Sequence, residues 1–160
     1  MDNRLTFRNA ERKDTALILR FIKELADYEK MLNEVVADEA MLEAWIFDKQ
    51  KAEVIFALED GKEIGFALFF HNYSTFLGRA GIYPEDLYVI PECRGKGYGK
   101  AILKKLAAIA VERGCGRLEW WCLDRNKPIY THCGFRFVAA KNMFYDDTGW
   151  TEYKMFELNL

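Results

Sequence analysis

The sequence predicts an α/β chain built on a mixed, mostly antiparallel central sheet with helices on both faces. Three observations predict it. Two apolar runs, Ala52 to Leu58 and Ile64 to Phe70, are joined through Asp60-Gly61, a pair that tolerates positive φ and marks a hairpin. A strand over 82–90 runs through a glycine-rich turn into an amphipathic helix over 97–113, and another strand follows at 118–123. Further short strands close the chain, so hairpins and a strand–helix–strand unit share one sheet.

The elements follow in order. Leu5 to Arg8 reads as a short strand. Asp14 is placed to cap a helix running to about Lys30, with Leu17, Ile18, Phe21, Ile22 and Leu25 on one face. Asp38 is placed to cap a second helix whose buried stripe is expected to be Met41, Leu42, Trp45 and Ile46. The hairpin comes next, then the strand ending at Pro91. In the helix over 97–113, Ile102, Leu103, Leu106, Ala107 and Ala110 face inward, while Lys100, Lys104, Lys105 and Glu112 face out. Gly114 supplies its stop. After the strand at 118–123, a short helix is expected near Asn126 to Cys133, ended by Gly134. Phe135 to Ala139 and Tyr153 to Leu158 read as the final strands.

At 160 residues the chain is expected to form a single domain over 1–160, with 51% apolar residues for one core. Twenty-five acids against 23 bases give a net charge of −2, which argues against a nucleic-acid partner. The longest clean apolar stretch, Leu106 to Val111, falls far short of the ~18 residues a membrane span needs. Met1 to Asp14 is polar and lacks the apolar stretch of a secretory leader, so a cytoplasmic location is expected. Cys93, Cys115, Cys122 and Cys133 form no C-x-x-C pair and no zinc pattern with His71 or His132; reduced thiols and no metal are expected.

The most informative segment is Leu87-Tyr88-Val89-Ile90-Pro91-Glu92-Cys93-Arg94-Gly95-Lys96-Gly97-Tyr98-Gly99-Lys100. Glycines at alternate positions let a ligand approach the backbone, and the helix N-terminus that follows favours phosphate. Two familiar phosphate loops do not fit: G-x-G-x-x-G needs glycine at Lys100, and G-x-x-x-x-G-K-[ST] needs glycine at Arg94 and Ser or Thr at Ala101.

Arg94-x-x-Gly97-x-Gly99 resembles the pyrophosphate motif of the GNAT family of N-acetyltransferases. Three further segments resemble its spermidine/spermine (diamine/thialysine) branch: Phe21 to Glu29, Glu85 to Val89, and Leu123 to Asn126, with Tyr130-x-x-x-Gly134-Phe135 beyond them. The similarity runs from about Leu5 to Leu158. It implies the GNAT fold, acetyl-CoA as cosubstrate, a primary amine as acceptor, and a homodimer. It implies pyrophosphate contacts from Arg94, Gly95, Lys96, Gly97, Tyr98, Gly99 and Lys100. Pantetheine pairing falls to the backbone of Leu87, Tyr88 and Val89, and a further cofactor contact to Asn126.

An alkyl ammonium has a pKa of ~10.4 and cannot attack until it loses a proton. By resemblance Glu85 contacts the amine and relays that proton, and Tyr28 and Glu29 contact its distal part. Read alone, Glu85 also suits a solvated strand edge, and Tyr28 and Glu29 an exposed helix end. Adjacent Glu85 and Asp86 point to opposite strand faces, which argues against a paired-carboxylate device. Glu119, Trp120 and Trp121 lie on a strand that lines the substrate side in the family; two strand tryptophans equally suit packing. Tyr130 matches the general-acid tyrosine that protonates the departing thiolate. The chain departs from the family in one place. Asn126 and Tyr130 are four residues apart where seven is usual, and counting forward from Asn126 puts Cys133 in the tyrosine's place. The expected activity is acetyl transfer to a small polyamine, diamine or lysine-like amine. The alternatives are a protein lysine or N-terminal acetyltransferase, and an acetyl-CoA-binding module with impaired turnover.

Overall fold

The Asp60-Gly61 turn forms as its residue types dictate. In a computed structural model, describing residues 4–123, 136–145 and 149–159 with side chains over 4–121, these two residues take φ of 51° and 81°. They join β2 (Glu53–Glu59) to β3 (Lys62–Ser74), with Glu59 opposite Lys62. β1 (Leu5–Asn9) pairs antiparallel with β2 on its other edge.

The chain packs as two compact units. The first comprises Met1–Phe70 and Glu85–Leu103, and the second His71–Pro84 and Lys104–Leu160. In the first, β1, β2, β3 and the end of β4 (Arg79–Val89) lie in that order. Ile90 N–H continues the β3–β4 pairing by donating to the Ile64 carbonyl at 2.9 Å. α1 (Thr15–Tyr28) covers this sheet, with Ile18 and Phe21 fully buried and Leu17, Ile22 and Leu25 partly so. The Phe21 ring sits 5.6 Å from Phe66, 5.7 Å from Tyr88 and 6.2 Å from Phe56. That aromatic cluster is the heart of the unit's core.

Two sequence expectations are corrected here. Asp14 does not cap α1 with its side chain. Its carboxylate accepts from Glu11 N–H at 2.8 Å and pairs with the Arg8 guanidinium at 2.7 Å, because a charged fork offers a buried carboxylate stronger bonds than neutral amides do. α2 (Glu39–Leu42) is capped by Asp38, which accepts from Met41 N–H at 2.8 Å, as the sequence predicts. The helix then widens into a π-turn over Glu43–Asp48, closed by Lys49 N–H to the Ala44 carbonyl. The extra residue per turn rotates the apolar stripe. Ile46 is buried and Leu42 and Phe47 pack on the core, but Met41 and Trp45 are exposed. Trp45 instead takes the Lys49 ammonium over its ring at 3.9 Å.

In the second unit, β5 (Arg117–Leu123) lies parallel to β4, with Ile82 opposite Leu118. β7 (Gly149–Asn159) pairs antiparallel with β5, and β6 (Arg136–Tyr145) pairs antiparallel with β7. α3 (Tyr98–Glu112) begins in the first unit and ends in the second, where Leu106 and Ala110 are fully buried. Gly114, at φ 69°, ends it as the sequence predicts. Cys93 and Cys115 are buried free thiols. The expected helix near 126–133 lies outside the described residues. Among the described residues, no helix is long and apolar enough to cross a membrane.

Candidate active site

β4 carries the acidic residues and the glycine loop in one continuous run. Glu85 is exposed and Asp86 half-buried. Glu29, the residue after α1, has its N–H fixed on the Leu25 carbonyl at 3.0 Å. The three carboxyls share one electrostatic environment. Burial pushes the Asp86 carboxyl up, and the nearby charges of Glu85 and Glu29 push it further, to about 7. The Glu85 side chain reaches the surface, yet the protein around its carboxyl displaces enough water to raise it as well. Three neighbouring carboxyls favour a cation, and a carboxyl raised to about 7 can take a proton near neutral pH.

Two residues on, β4 meets the loop. A Cβ added at Gly99 would stand 3.9 Å from the Leu87 side chain. Val89 and Tyr88 are buried, and the Tyr88 hydroxyl donates to Glu24 at 2.9 Å, so Tyr88 presents only its backbone to a ligand on the sheet. A Cβ at Gly65 of β3 would collide with the Tyr88 carbonyl oxygen, so glycine permits this close approach of the strands. A 3-10 turn over Pro91–Cys93 leads to Arg94, and Gly95 and Gly97 take φ of 77° and 82°. Nothing lies within 4 Å of where a Cβ would stand on either glycine. α3 starts at once with Tyr98, and its first-turn amides have no acceptor within the helix. Open space over positive-φ glycines at a helix N-terminus is a cradle into which a diphosphate fits.

The Arg94 side chain turns back into the protein. Its Nε donates to the Val89 carbonyl at 2.9 Å, and its guanidinium lies 4.5 Å from the Tyr28 ring centre and 5.5 Å from that of Tyr88. These residues, with Glu24, Asp27, Ile90, Pro91 and Glu92, line a cavity of about 390 Å³. Lys96 pairs with Glu59 at 3.1 Å, the Tyr98 hydroxyl donates to the same carboxylate, and Lys100 is exposed.

The first unit thus brings together Tyr28, Glu29, Glu85, Leu87 to Val89 and Arg94 to Lys100 of the residues singled out from sequence. Glu119, Trp120 and Trp121 belong to the second unit. Glu119 is buried, its carboxylate accepting from Asn72 Nδ2 at 2.5 Å and pairing with Arg117 at 2.9 Å. Trp120 is buried too, and Trp121 N–H donates to the Tyr83 hydroxyl at 3.3 Å. Tyr130 and Asn126 lie outside the described residues. Sequence reasoning passed over Asp86 and Glu59. Strand alternation directed attention away from Asp86, and no local pattern ties Glu59 to a loop more than thirty residues later.

Residues 19–135 match the Acetyltransferase (GNAT) family. A thialysine N-epsilon-acetyltransferase from Sus scrofa is 40% identical over 92% of this chain and 89% of its own length. The protein of the same description from Mus musculus is 33% identical over 92% and 89%. Among solved structures, the GNAT superfamily phosphinothricin acetyltransferase from Sinorhizobium meliloti in complex with acetyl-CoA has a TM-score of 0.76 at 22% identity, over 98% of this chain and 88% of that one, a likeness of fold. The glycine cradle ahead of α3, the mixed sheet that carries it and these matches along most of the chain agree with one another, and the chain belongs to the GNAT family of acetyltransferases.

Proposed function

We propose that the chain transfers the acetyl group of acetyl-CoA to a primary amine of a small polyamine, diamine or lysine-like (thialysine) substrate by direct attack. The observation that carries this reading is the acidic group formed by Glu29 at the end of α1 with Glu85 and Asp86 on the run of β4 that leads into the glycine cradle. The thialysine N-epsilon-acetyltransferases that resemble the chain along most of its length support a small amine as acceptor.

Acetyl-CoA supplies the activated thioester. The chain's own groups do the rest. The first-turn amides of α3 and those of Arg94 to Gly99 hold the diphosphate. The backbone of Leu87 to Val89 orients the pantetheine arm, the Val89 carbonyl being committed to Arg94. Tyr28 and Glu29 receive the distal cation. Glu85 contacts the reacting amine and passes its proton on. Asp86, titrating near 7, keeps the site negative above neutrality and receptive to a proton at it. Tyr130 protonates the leaving thiolate. Catalysis rests on positioning and proton management, with no covalent enzyme intermediate. The resemblance adds a cytoplasmic homodimer, for which light scattering is the direct check.

The test is release of CoA from acetyl-CoA against spermidine, spermine, putrescine, thialysine, lysine and a lysine peptide. One small amine is expected to be preferred, with kcat/KM lowered at least about tenfold in Glu85→Gln. A preference for the lysine peptide turns the assignment to protein substrates. Binding of acetyl-CoA without turnover on any acceptor turns it to a binding module.

A further inference from the structure

Glu59 ends β2 at the Asp60-Gly61 turn, far in sequence from the glycine loop and in direct contact with it. Three loop side chains converge on its carboxylate. Cys93 Sγ donates to Oε2 at 3.5 Å, Lys96 Nζ reaches both oxygens at 3.1 Å, and the Tyr98 hydroxyl donates to Oε1. These are the residue that ends the 3-10 turn, the residue between the two positive-φ glycines, and the first residue of α3. The partners also keep the group ionised: the Tyr98 hydroxyl, then Lys96, hold the Glu59 carboxyl below the usual carboxylate range. Burial and the neighbouring carboxylate push the Cys93 thiol up, so it remains a protonated donor.

Glycines at 95 and 97 give this segment more backbone freedom to lose on binding than other residues there would. Tethers at 93, 96 and 98, all tied to one carboxylate on a paired strand, remove that freedom beforehand. We propose that Glu59 is a positioning residue of the cofactor loop, fixing residues 93–98 in the shape that turns their amides toward a diphosphate. Two effects of Glu59 oppose each other. Its charge repels a diphosphate, and its tethers lower the ordering cost of binding one. The charge is paired with the Lys96 ammonium, which offsets the repulsion, so the tethers dominate.

The inference rests on the reading that this loop holds acetyl-CoA, and the experiment separates the two. CoA affinity of the full chain is measured by calorimetry, with KM for acetyl-CoA and for the preferred amine. Glu59→Ala is expected to weaken CoA about tenfold and raise the acetyl-CoA KM in step, leaving kcat and the amine KM at saturating acetyl-CoA within about twofold. Glu59→Gln retains an acceptor for Tyr98 and is expected to lose about threefold. Tyr98→Phe is expected to weaken CoA in the wild-type background and add little to Glu59→Ala. Should Glu59→Ala fail to fold, Glu59→Gln and Tyr98→Phe carry the same test. Unchanged or tighter CoA binding in these variants, with wild type binding normally, overturns the role of Glu59 alone. A parallel rise in amine KM shows general disruption and overturns it as well. Wild-type protein that does not bind CoA overturns both readings.

Discussion

The Arg94 guanidinium lies 4.5 Å from the centre of the Tyr28 ring while its Nε is held by the Val89 carbonyl at 2.9 Å. One side chain from the cofactor loop therefore joins the end of α1, where the acceptor's distal part is proposed to sit, to the end of β4. An arginine does this because its planar fork can stack and hydrogen-bond at the same time. Arg94→Lys keeps the charge and loses the stack. The expected result is a three- to tenfold fall in amine kcat/KM, corresponding to about 1 kcal/mol, with the CoA dissociation constant changed less than threefold. A larger loss in CoA affinity than in amine kcat/KM would instead make the Arg94 side chain a phosphate ligand.

Asp86 gives the site a pH signature. Its carboxyl is raised to about 7 in the folded protein, against ~3.9 in an unfolded chain. Between those values the folded state binds the proton and the unfolded state does not, so stability falls as pH rises from about 4 to about 7 and is level above. Asp86→Asn removes that slope. It is expected to be more stable than wild type at pH 8, by roughly 1–2 kcal/mol after allowance for solvent screening, and the difference should shrink to about a third by pH 5 and close near pH 4. In kcat/KM for the amine, wild type should lose activity as pH drops through about 7, and the variant should lack that limb. Thermal melts at pH 5 and 8 with a pH–rate profile check both.

Much of this was legible in the chain itself, for reasons that differ by element. Asp60-Gly61, the face of α1 and the stop at Gly114 are local signals, and each forms where its residue types require. The Met41–Trp45 stripe misleads because a period of 3.6 was applied to a π-turn. Asp14 misleads because Arg8, six residues back, competes for its carboxylate. Glu59 and Glu119 draw their roles from partners distant in sequence, Tyr98 and Asn72, and no window along the chain contains both members of either pair.

The loop glycines are open to a steric test that bypasses electrostatics. Gly97 sits at φ 82° with empty space beside it, so alanine there meets no neighbour and suffers only backbone strain. Gly97→Ala is expected to lower stability by about 1 kcal/mol and to weaken CoA by tenfold or more, because a methyl would occupy the cradle. Gly78→Ala, at φ 64° in the turn between β3 and β4, carries the same strain away from the loop. It should match the stability loss with CoA binding unchanged. Melting curves beside calorimetry distinguish strain from lost binding, and equal CoA affinities in the two variants would remove the loop from the cofactor site.

The proton that leaves the amine and the proton that reaches the thiolate need different groups, and Glu85 and Asp86, both raised, are the proposed handlers of the first. Tyr130 is the proposed source of the second. A phenol with a pKa of ~10 is protonated throughout the working range and can donate a hydrogen bond and its proton as charge develops on the sulfur, regaining a proton from solvent afterwards. Tyr130→Phe is expected to lower kcat by 10²- to 10³-fold with acetyl-CoA and amine KM little changed, and to abolish the alkaline limb of the kcat profile. The four-residue interval from Asn126 makes Cys133 the rival donor. Cys133→Ala should leave kcat within about twofold of wild type if Tyr130 holds the role. The reverse pattern, a silent Tyr130→Phe and a slow Cys133→Ala, would move the general acid to the thiol.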